Sequence, residues 1–261
     1  MVKLCKPYLP DKSISCWLNP LSTKFRQNSL ITKFNEFAYF TGVTSLARLA
    51  FQATTNLEEI EFPTSLVTLG AYSNDVVFSN CKFISIDMKN VSATYNGLNA
   101  CTSLVYVNAK NLKTAHIGFQ GCSSIKRIVL PNLATRNTNG YNGGSMLRQC
   151  TALELADIGS GVTYFADYAI GQDTQCTAVL RSKNFTISKN AFYNIKRIYC
   201  TSEMYDYLHN SSYNNSSGRV YVIGGTEWVA DFGSSDVWAD LTQEEYDYYY
   251  KDIVEQGSGQ S

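Results

Sequence analysis

The chain has 261 residues, of which 44% are apolar and only 17% charged, and its basic and acidic residues balance to a net charge of zero. That length suffices for one large core or for an elongated stack of small units, and the neutral balance gives no global attraction to nucleic acid or to an anionic membrane. No run approaches the ~18 consecutive apolar residues that a membrane-spanning helix requires.

The N-terminal stretch, residues 1–30, holds Pro7, Pro10 and Pro20 among polar residues. It lacks the ~7–15-residue apolar core of a secretory signal. It is read as a cap or arm, either shielding the exposed edge of a first strand or docking on a partner.

From residue 31 to residue 200 a repeat organises the chain. The stretch FQGCSSIKRIVLPN, from Phe119, has a large apolar residue first, Cys three later and an apolar residue three after that, then apolar residues at +3 and +5. LNACTSLVYVNAKN from Leu98 repeats it without a gap, and FSNCKFISIDMKN from Phe78 repeats it one residue short. LRQCTALELADIGS from Leu147 fits with Ala156 in a weak slot, and FQATTNLEEIEFPT from Phe51 has Thr54 where Cys would stand. The first column is therefore Phe51, Phe78, Leu98, Phe119 and Leu147, and the second is Thr54, Cys81, Cys101, Cys122 and Cys150. The third is Leu57, Phe83, Leu104, Ile125 and Leu153. Ile60, Ile86, Val107, Ile128 and Ala156 follow, then Phe62, Met88, Ala109, Leu130 and Ile158. Two later units are degraded: Ile170, Cys176 and Val179 with an insertion, and Phe192, Ile195 and Ile198 with a deletion.

One such unit cannot bury its apolar side alone, so units stack, and a spacing near 20–29 residues is that of leucine-rich repeats. The I-x-L alternation at the end of each motif marks a short strand with one face inward. The fold expected is a leucine-rich-repeat solenoid: short parallel strands stacked one per coil, irregular loops or short helical turns opposite, and a C-terminal cap helix. Cys suits a repeated inside slot because it is small and readily buried. A file of cysteines in equivalent slots reads as buried thiols, and the closest pair in the chain, Cys5 and Cys16, makes no CxxC motif for metal or redox chemistry.

Residues 201–228 are read as a C-terminal cap and 229–261 as a separate acidic, aromatic tail. The tail carries eight acidic residues and one lysine, net −7, which leaves +7 on residues 1–228. Thr242-Gln-Glu-Glu245 is a capping box that predicts a helix. Tyr246, Tyr249, Tyr250 and Ile253 would share one face of it, with Trp238 and Leu241 just before. Such a tail either folds back on the basic body or docks on another subunit.

Chemistry-bearing patterns are sparse. His116, in an irregular loop-side stretch, and His209 flank no metal-ligand cluster, and no phosphate loop, dinucleotide loop, zinc-protease or nucleophile-elbow motif is present. No catalytic residue, metal ligand or cofactor is assigned. The residues between the inward slots form an outward face: Glu59, Glu61, Ser85, Asp87, Tyr106, Asn108, Arg127, Val129, Leu155, Asp157, Arg197 and Tyr199. On it Tyr106, Asn108, Arg127, Arg197 and Tyr199 are the candidate binding residues, since solenoids bind along such faces and tyrosines anchor protein or sugar partners.

These columns resemble the BspA-like leucine-rich repeats, which recur as AFxxCxxLxxIxLP; this chain reads FQGCSSIKRIVLP from Phe119. ITKFNEFAYFTGVTSL (31–46) is similar to the opening coil of such proteins from gut anaerobes. RIYCTSEMYDYLHNSSYNNSSGRVYVI (197–223) resembles their closing unit, a strand and short helix over the last coil. The resemblance implies surface display, adhesion and protein contact. The expected function is a non-catalytic interaction or attachment module, foremost a virion structural or host-attachment protein of a phage, alternatively a bacterial cell-surface adhesin, with an enzyme a distant third. The expected partner is a protein, a virion subunit or host surface protein, with a glycan as second candidate and neither nucleic acid nor a membrane span. The expected place is the virion or the extracellular surface.

Overall fold

The computed structural model describes residues 25–71, 75–134, 145–171, 176–210 and 219–222, with side chains through residue 208. In chain order the elements are β1 (Lys33–Phe34), a 3-10 turn (Asn35–Tyr39), β2 (Ser45–Leu46), β3 (Glu59–Ile60), β4 (Thr68–Leu69), β5 (Ser85–Asp87) and β6 (Ala93–Tyr95). There follow β7 (Tyr106–Asn108), β8 (Thr114–His116), β9 (Arg127–Leu130), β10 (Leu155–Ile158), β11 (Tyr164–Phe165) and β12 (Thr177–Leu180). β13 (Thr186–Ile187), β14 (Arg197–Cys200), α1 (Ser202–Asn210) and β15 (Arg219–Val222) complete the described chain.

The I-x-L strands form a first ladder in which every pairing is parallel. β1 pairs with β3, β5 with β7, and β9, β10, β12, β14 and β15 make a continuous five-stranded sheet. The shorter pieces join because β5 lies beside β3 and β9 beside β7. The register carries the repeat: Ser85 pairs with Tyr106, Arg127 with Leu155, and Leu155 with Thr177. Each coil step therefore moves one strand along the stack.

Each coil holds more than the one strand read from its alternation. A second parallel ladder follows the first: β2–β4–β6–β8, then β11–β13. Its inward residues are Leu46, Leu69, Thr94 and Ala115, preceded three positions earlier by Val43, Leu66, Val91 and Leu112, all buried. The third side of the coil is the Phe-x-x-Cys turn. Here too the main chain bonds from coil to coil, Phe51 N–H to the Val77 carbonyl, Phe78 to Gly97, and Leu98 to Gly118, at 2.8 to 3.0 Å.

That turn requires left-handed backbone just before the Cys slot, where Ala53, Asn80, Ala100, Gly121 and Gln149 have φ between 55° and 73°. Only one of these five is glycine, although a side chain disfavours this region by roughly 1–2 kcal/mol. Inter-coil hydrogen bonds hold the geometry: the N–H groups of Ala53, Asn80, Ala100 and Gly121 each donate to the neighbouring coil.

The interior is one continuous apolar column. Phe25 stacks on Phe51 and Phe51 on Phe78, each pair with ring centroids 4.9 Å apart, and Phe62 stacks on Phe78 at 5.6 Å. Such pairs contribute about 0.5–1.5 kcal/mol beyond the area they bury. Phe51, Phe78, Phe119, Leu57, Leu104, Ile125 and Leu153 are all buried. Phe25 thus stands in the first column of an additional coil, so the solenoid opens ahead of residue 31. It also runs past residue 200, because β15 adds a strand to the first ladder. In the unit with the insertion, the inward residue is Ala178, paired with Ala156, and Val179 points outward opposite Asp157; Cys176 stands directly before the strand, level with Glu154, and so lies outside the column of Cys122 and Cys150.

The end of the described solenoid carries the cap helix α1. The Thr201 hydroxyl lies 3.4 Å from the Met204 N–H as an N-cap and donates to the Ser182 carbonyl at 3.0 Å. Glu203 stands in the first turn, where the helix dipole favours a carboxylate. Met204 and Leu208, four apart and so on one face, are buried, and Tyr207 meets Phe185 edge-on.

Candidate functional site

The outward side of the first ladder is the surface a solenoid offers to a partner, and it divides in two. On β3, β5 and β7 the outward residues are open: Glu59, Ser85, Asp87, Tyr106 and Asn108 are exposed. Tyr106 is 69% exposed and its neighbour Ile84 60%. The Tyr106 N–H bonds to the Ile84 carbonyl at 3.2 Å, which fixes an aromatic and an aliphatic side chain on adjacent coils.

Two carboxylates of this strip, Glu59 and Asp87, are locally paired. Lys33 bonds to Glu59 across the β1–β3 pair, and that bond is the main reason the Glu59 carboxyl is held below its usual range. Asp87 accepts from the Asn108 amide at 2.9 Å and from the Lys89 N–H at 3.1 Å, with the Lys89 ammonium 3.4 Å away. The strip therefore presents an aromatic centre flanked by two carboxylates, Glu59 and Asp87, that already have partners.

On β10, β12 and β14 the outward residues are buried. Leu155 and Val179 have no exposed surface, and Thr177, Asp157 and Tyr199 are each 3% exposed. Arg181 clamps Asp157 through two bonds of 2.9 and 2.7 Å. Arg127 and Arg197 are half-buried. The five candidate residues are therefore not one open surface. Tyr106 and Asn108 share the open strip, Arg127 and Arg197 flank the covered half, and Tyr199 is buried and cannot stack on a free ligand. Alternation along a strand tells which way Tyr199 points but not whether anything lies over it.

Six cysteines are described, Cys81, Cys101, Cys122, Cys150, Cys176 and Cys200, and all are free and buried. Burial pushes every one of these thiols up, Cys101, Cys150 and Cys200 to about 12, so they stay protonated near neutral pH and are poor nucleophiles. His116 is on a strand, not in a loop: it closes β8, paired with Tyr95, is 7% exposed, and has its pKa lowered by burial. Among the described residues no three His, Cys, Asp or Glu side chains are grouped to hold a metal, and no helix is long and apolar enough to cross a membrane. Trp238, Leu241, Tyr246, Tyr249, Tyr250 and Ile253, assigned to partner docking, lie outside the described residues, as does the side chain of His209.

A family model described as a BspA type leucine rich repeat region, in 6 copies, matches residues 25–141 and 118–218. No curated protein matches. Among solved structures the chain is similar to a leucine-rich repeat protein from Bacteroides ovatus ATCC 8483, at 22% identity and a TM-score of 0.43. The likeness covers 61% of this chain and 47% of that one, so the chain spans about half the length of that protein.

Proposed function

The chain belongs to the BspA-type leucine-rich repeat family, and from that premise we propose that it is a non-catalytic attachment module whose partner is a protein docking on the open strip of β3, β5 and β7. The observation that carries this reading is the exposure of Tyr106 beside Ile84. A large ring with little conformational entropy to lose, set on a rigid ladder, is the kind of side chain that dominates binding energy. The carboxylates around it, Glu59 and Asp87, are already engaged with Lys33, Asn108 and Lys89, which favours binding over acid–base work. A glycan stacked on Tyr106 is the second candidate ligand.

The setting we propose is the outer surface of a particle or cell: a phage virion structural or host-attachment protein first, a bacterial cell-surface adhesin second. Proteomics of purified virions against surface-exposed bacterial proteins separates the two. The binding reading is tested on an array of host surface proteins and glycans, probed with the parent chain and with Tyr106→Ala. A protein spot lost in the variant supports it; a spot bound equally by both, or glycan spots alone, goes against protein docking at this strip.

A further inference from the structure

On the Phe-x-x-Cys side of the late coils, away from the open strip, three side chains meet without engaging their polar ends. Main-chain bonds from the Leu147 N–H to the Ala169 carbonyl and from the Ile170 N–H to the Ala191 carbonyl, both 3.1 Å, stack residues 145–148, 168–171 and 190–193 as successive turns. Arg148, Gly171 and Tyr193 therefore share one column, each directly after a buried residue, Leu147, Ile170 or Phe192. The middle position bears no side chain. Gly171 has φ +146°, and a Cβ there would stand 2.5 Å from the Tyr193 carbonyl oxygen. Tyr168, from the same turn as Gly171, links the other two. The Arg148 guanidinium carbon lies 5.4 Å from its ring centroid, and its ring and that of Tyr193 meet edge to face at 6.2 Å. All three side chains are half-buried.

A guanidinium in this setting is prepared for an anion. It is partly desolvated against an aromatic ring, and its Nε is buried without an acceptor, a state that a folded protein seldom leaves unanswered. Among the described residues no carboxylate pairs with it. Asp167, next to Tyr168, accepts instead from the Asn190 N–H at 3.2 Å. Neither the Tyr168 nor the Tyr193 hydroxyl is bonded to another described residue. A carboxylate takes two parallel bonds from a guanidinium. A phenol ring packs on the apolar face of a pyranose and offers it a hydroxyl. We propose that Arg148, Tyr168 and Tyr193 form a binding site for an acidic sugar, a uronate or sialate residue of a glycan, with its carboxylate on Arg148 and its ring and hydroxyls on the two tyrosines. A peptide carboxylate would satisfy the arginine and leave the phenols idle, so the pair of rings favours the sugar. The site lies on a different side of the coil from Tyr106 and does not depend on a protein docking there.

The test is saturation-transfer NMR of the full chain with methyl glucuronide, N-acetylneuraminic acid, methyl glucoside and a diglutamyl peptide as probes. At least one of the two acidic sugars binds, and the neutral glucoside and the peptide bind about tenfold more weakly or not at all. Arg148→Gln weakens the acidic sugar by about tenfold, and Arg148→Lys, which keeps the charge without the planar fork, falls between. Should Arg148→Gln misfold, Tyr168→Phe/Tyr193→Phe, which keeps both rings and removes only the hydroxyls, weakens the same sugar. The chain segments 135–144 and 172–175 contain one carboxylate between them, Asp173, and Asp173→Asn asks whether it neutralises the arginine. Failure of both acidic sugars to bind, equal binding of the glucoside or the peptide, loss of the sugar in Tyr106→Ala, or binding that appears only in Asp173→Asn overturns the proposal.

Discussion

The Cys101 thiol donates a hydrogen bond to the main-chain carbonyl of Phe78, one coil earlier, at 3.0 Å. The same bond recurs down the stack, from Cys122 to the Leu98 carbonyl and from Cys150 to the Phe119 carbonyl, at 3.0 and 3.2 Å. Where the column has threonine, the Thr54 hydroxyl makes it to the Phe25 carbonyl at 2.8 Å. Each of these carbonyls already accepts from the N–H three residues on in its own coil, as Phe78 does from Cys81 at 3.2 Å and Leu98 from Cys101 at 3.3 Å, so the slot selects a small side chain whose donor adds a second bond, from the next coil, to a buried acceptor with two lone pairs. Cys101→Ala removes the donor and leaves a void, at a cost of about 1–3 kcal/mol. Cys101→Thr keeps the donor in a shape the column already accepts, and costs less. Urea unfolding of the three proteins checks the order; a threonine variant less stable than the alanine one would refute the hydrogen-bonding account.

The thiols also set an alkaline limit. Their folded pKa values are raised, with Cys101, Cys150 and Cys200 at about 12, while the unfolded value is about 8.5. Below pH ~8.5 both states hold the proton and the stability contributed is fully present. Above it the unfolded chain releases protons that the folded chain keeps, so stability declines as pH rises toward the folded values. Each thiol adds a slope of up to about 1.4 kcal/mol per pH unit. Melting curves from pH 7 to 11 should fall steeply, and alkylation at pH 8 should leave the peptides bearing these six cysteines unmodified until the chain is unfolded. Rapid alkylation of the folded protein at Cys101 or Cys122 would contradict the buried ladder.

The left-handed positions make opposite demands on neighbouring sites. Ala100 has φ 55° and Gly121, in the same column one coil on, has φ 73°. Ala100→Gly removes the backbone strain without disturbing the apolar column, and should stabilise by about 0.5–1 kcal/mol. At Gly159 the constraint is space: an added Cβ overlaps the carbonyl of Pro131 in the adjoining coil. Gly159→Ala forces two strands of the first ladder apart, and should lower the melting temperature by several degrees, a loss of about 1–3 kcal/mol. Differential scanning calorimetry of the two variants tests the signs; a destabilised Ala100→Gly or an unchanged Gly159→Ala would count against this account of the coil.

How much of this was legible in the sequence depended on whether a residue's neighbours in the chain carry its signal. Phe51, Phe78, Leu104 and Ile125 recur at fixed offsets because each coil must fill the same inside slot, so the solenoid could be read directly. The second ladder left little trace. Its strands are two or three residues long, and Val43 with Leu46 or Leu66 with Leu69 are three apart, a spacing without the period of two. The coil at Phe25 was hidden because Asn28 stands where Cys is expected and Phe34 where Ile is expected. On the candidate face, the direction of Tyr106 and of Tyr199 followed equally from alternation. The burial of Tyr199 did not, because alternation along a strand gives the direction of a side chain and not its depth.

His116 supplies an acid limit that complements the thiols. It lies at the end of β8, 7% exposed, and burial lowers its pKa. In the unfolded chain a histidine titrates near pH 6.5. Above that value both states are neutral at this site and nothing is lost. As pH falls below it the unfolded chain takes up a proton that the folded chain resists, so stability falls until the folded value is passed. The parent should therefore lose stability as pH falls below about 6.5, with a slope of up to ~1.4 kcal/mol per pH unit. His116→Gln, which retains a polar side chain and cannot titrate, should flatten that segment while leaving the alkaline limb unchanged. Unfolding free energies at pH 7.5, 6 and 5 for the two proteins decide the matter, and parallel curves would show that His116 is not the group responsible.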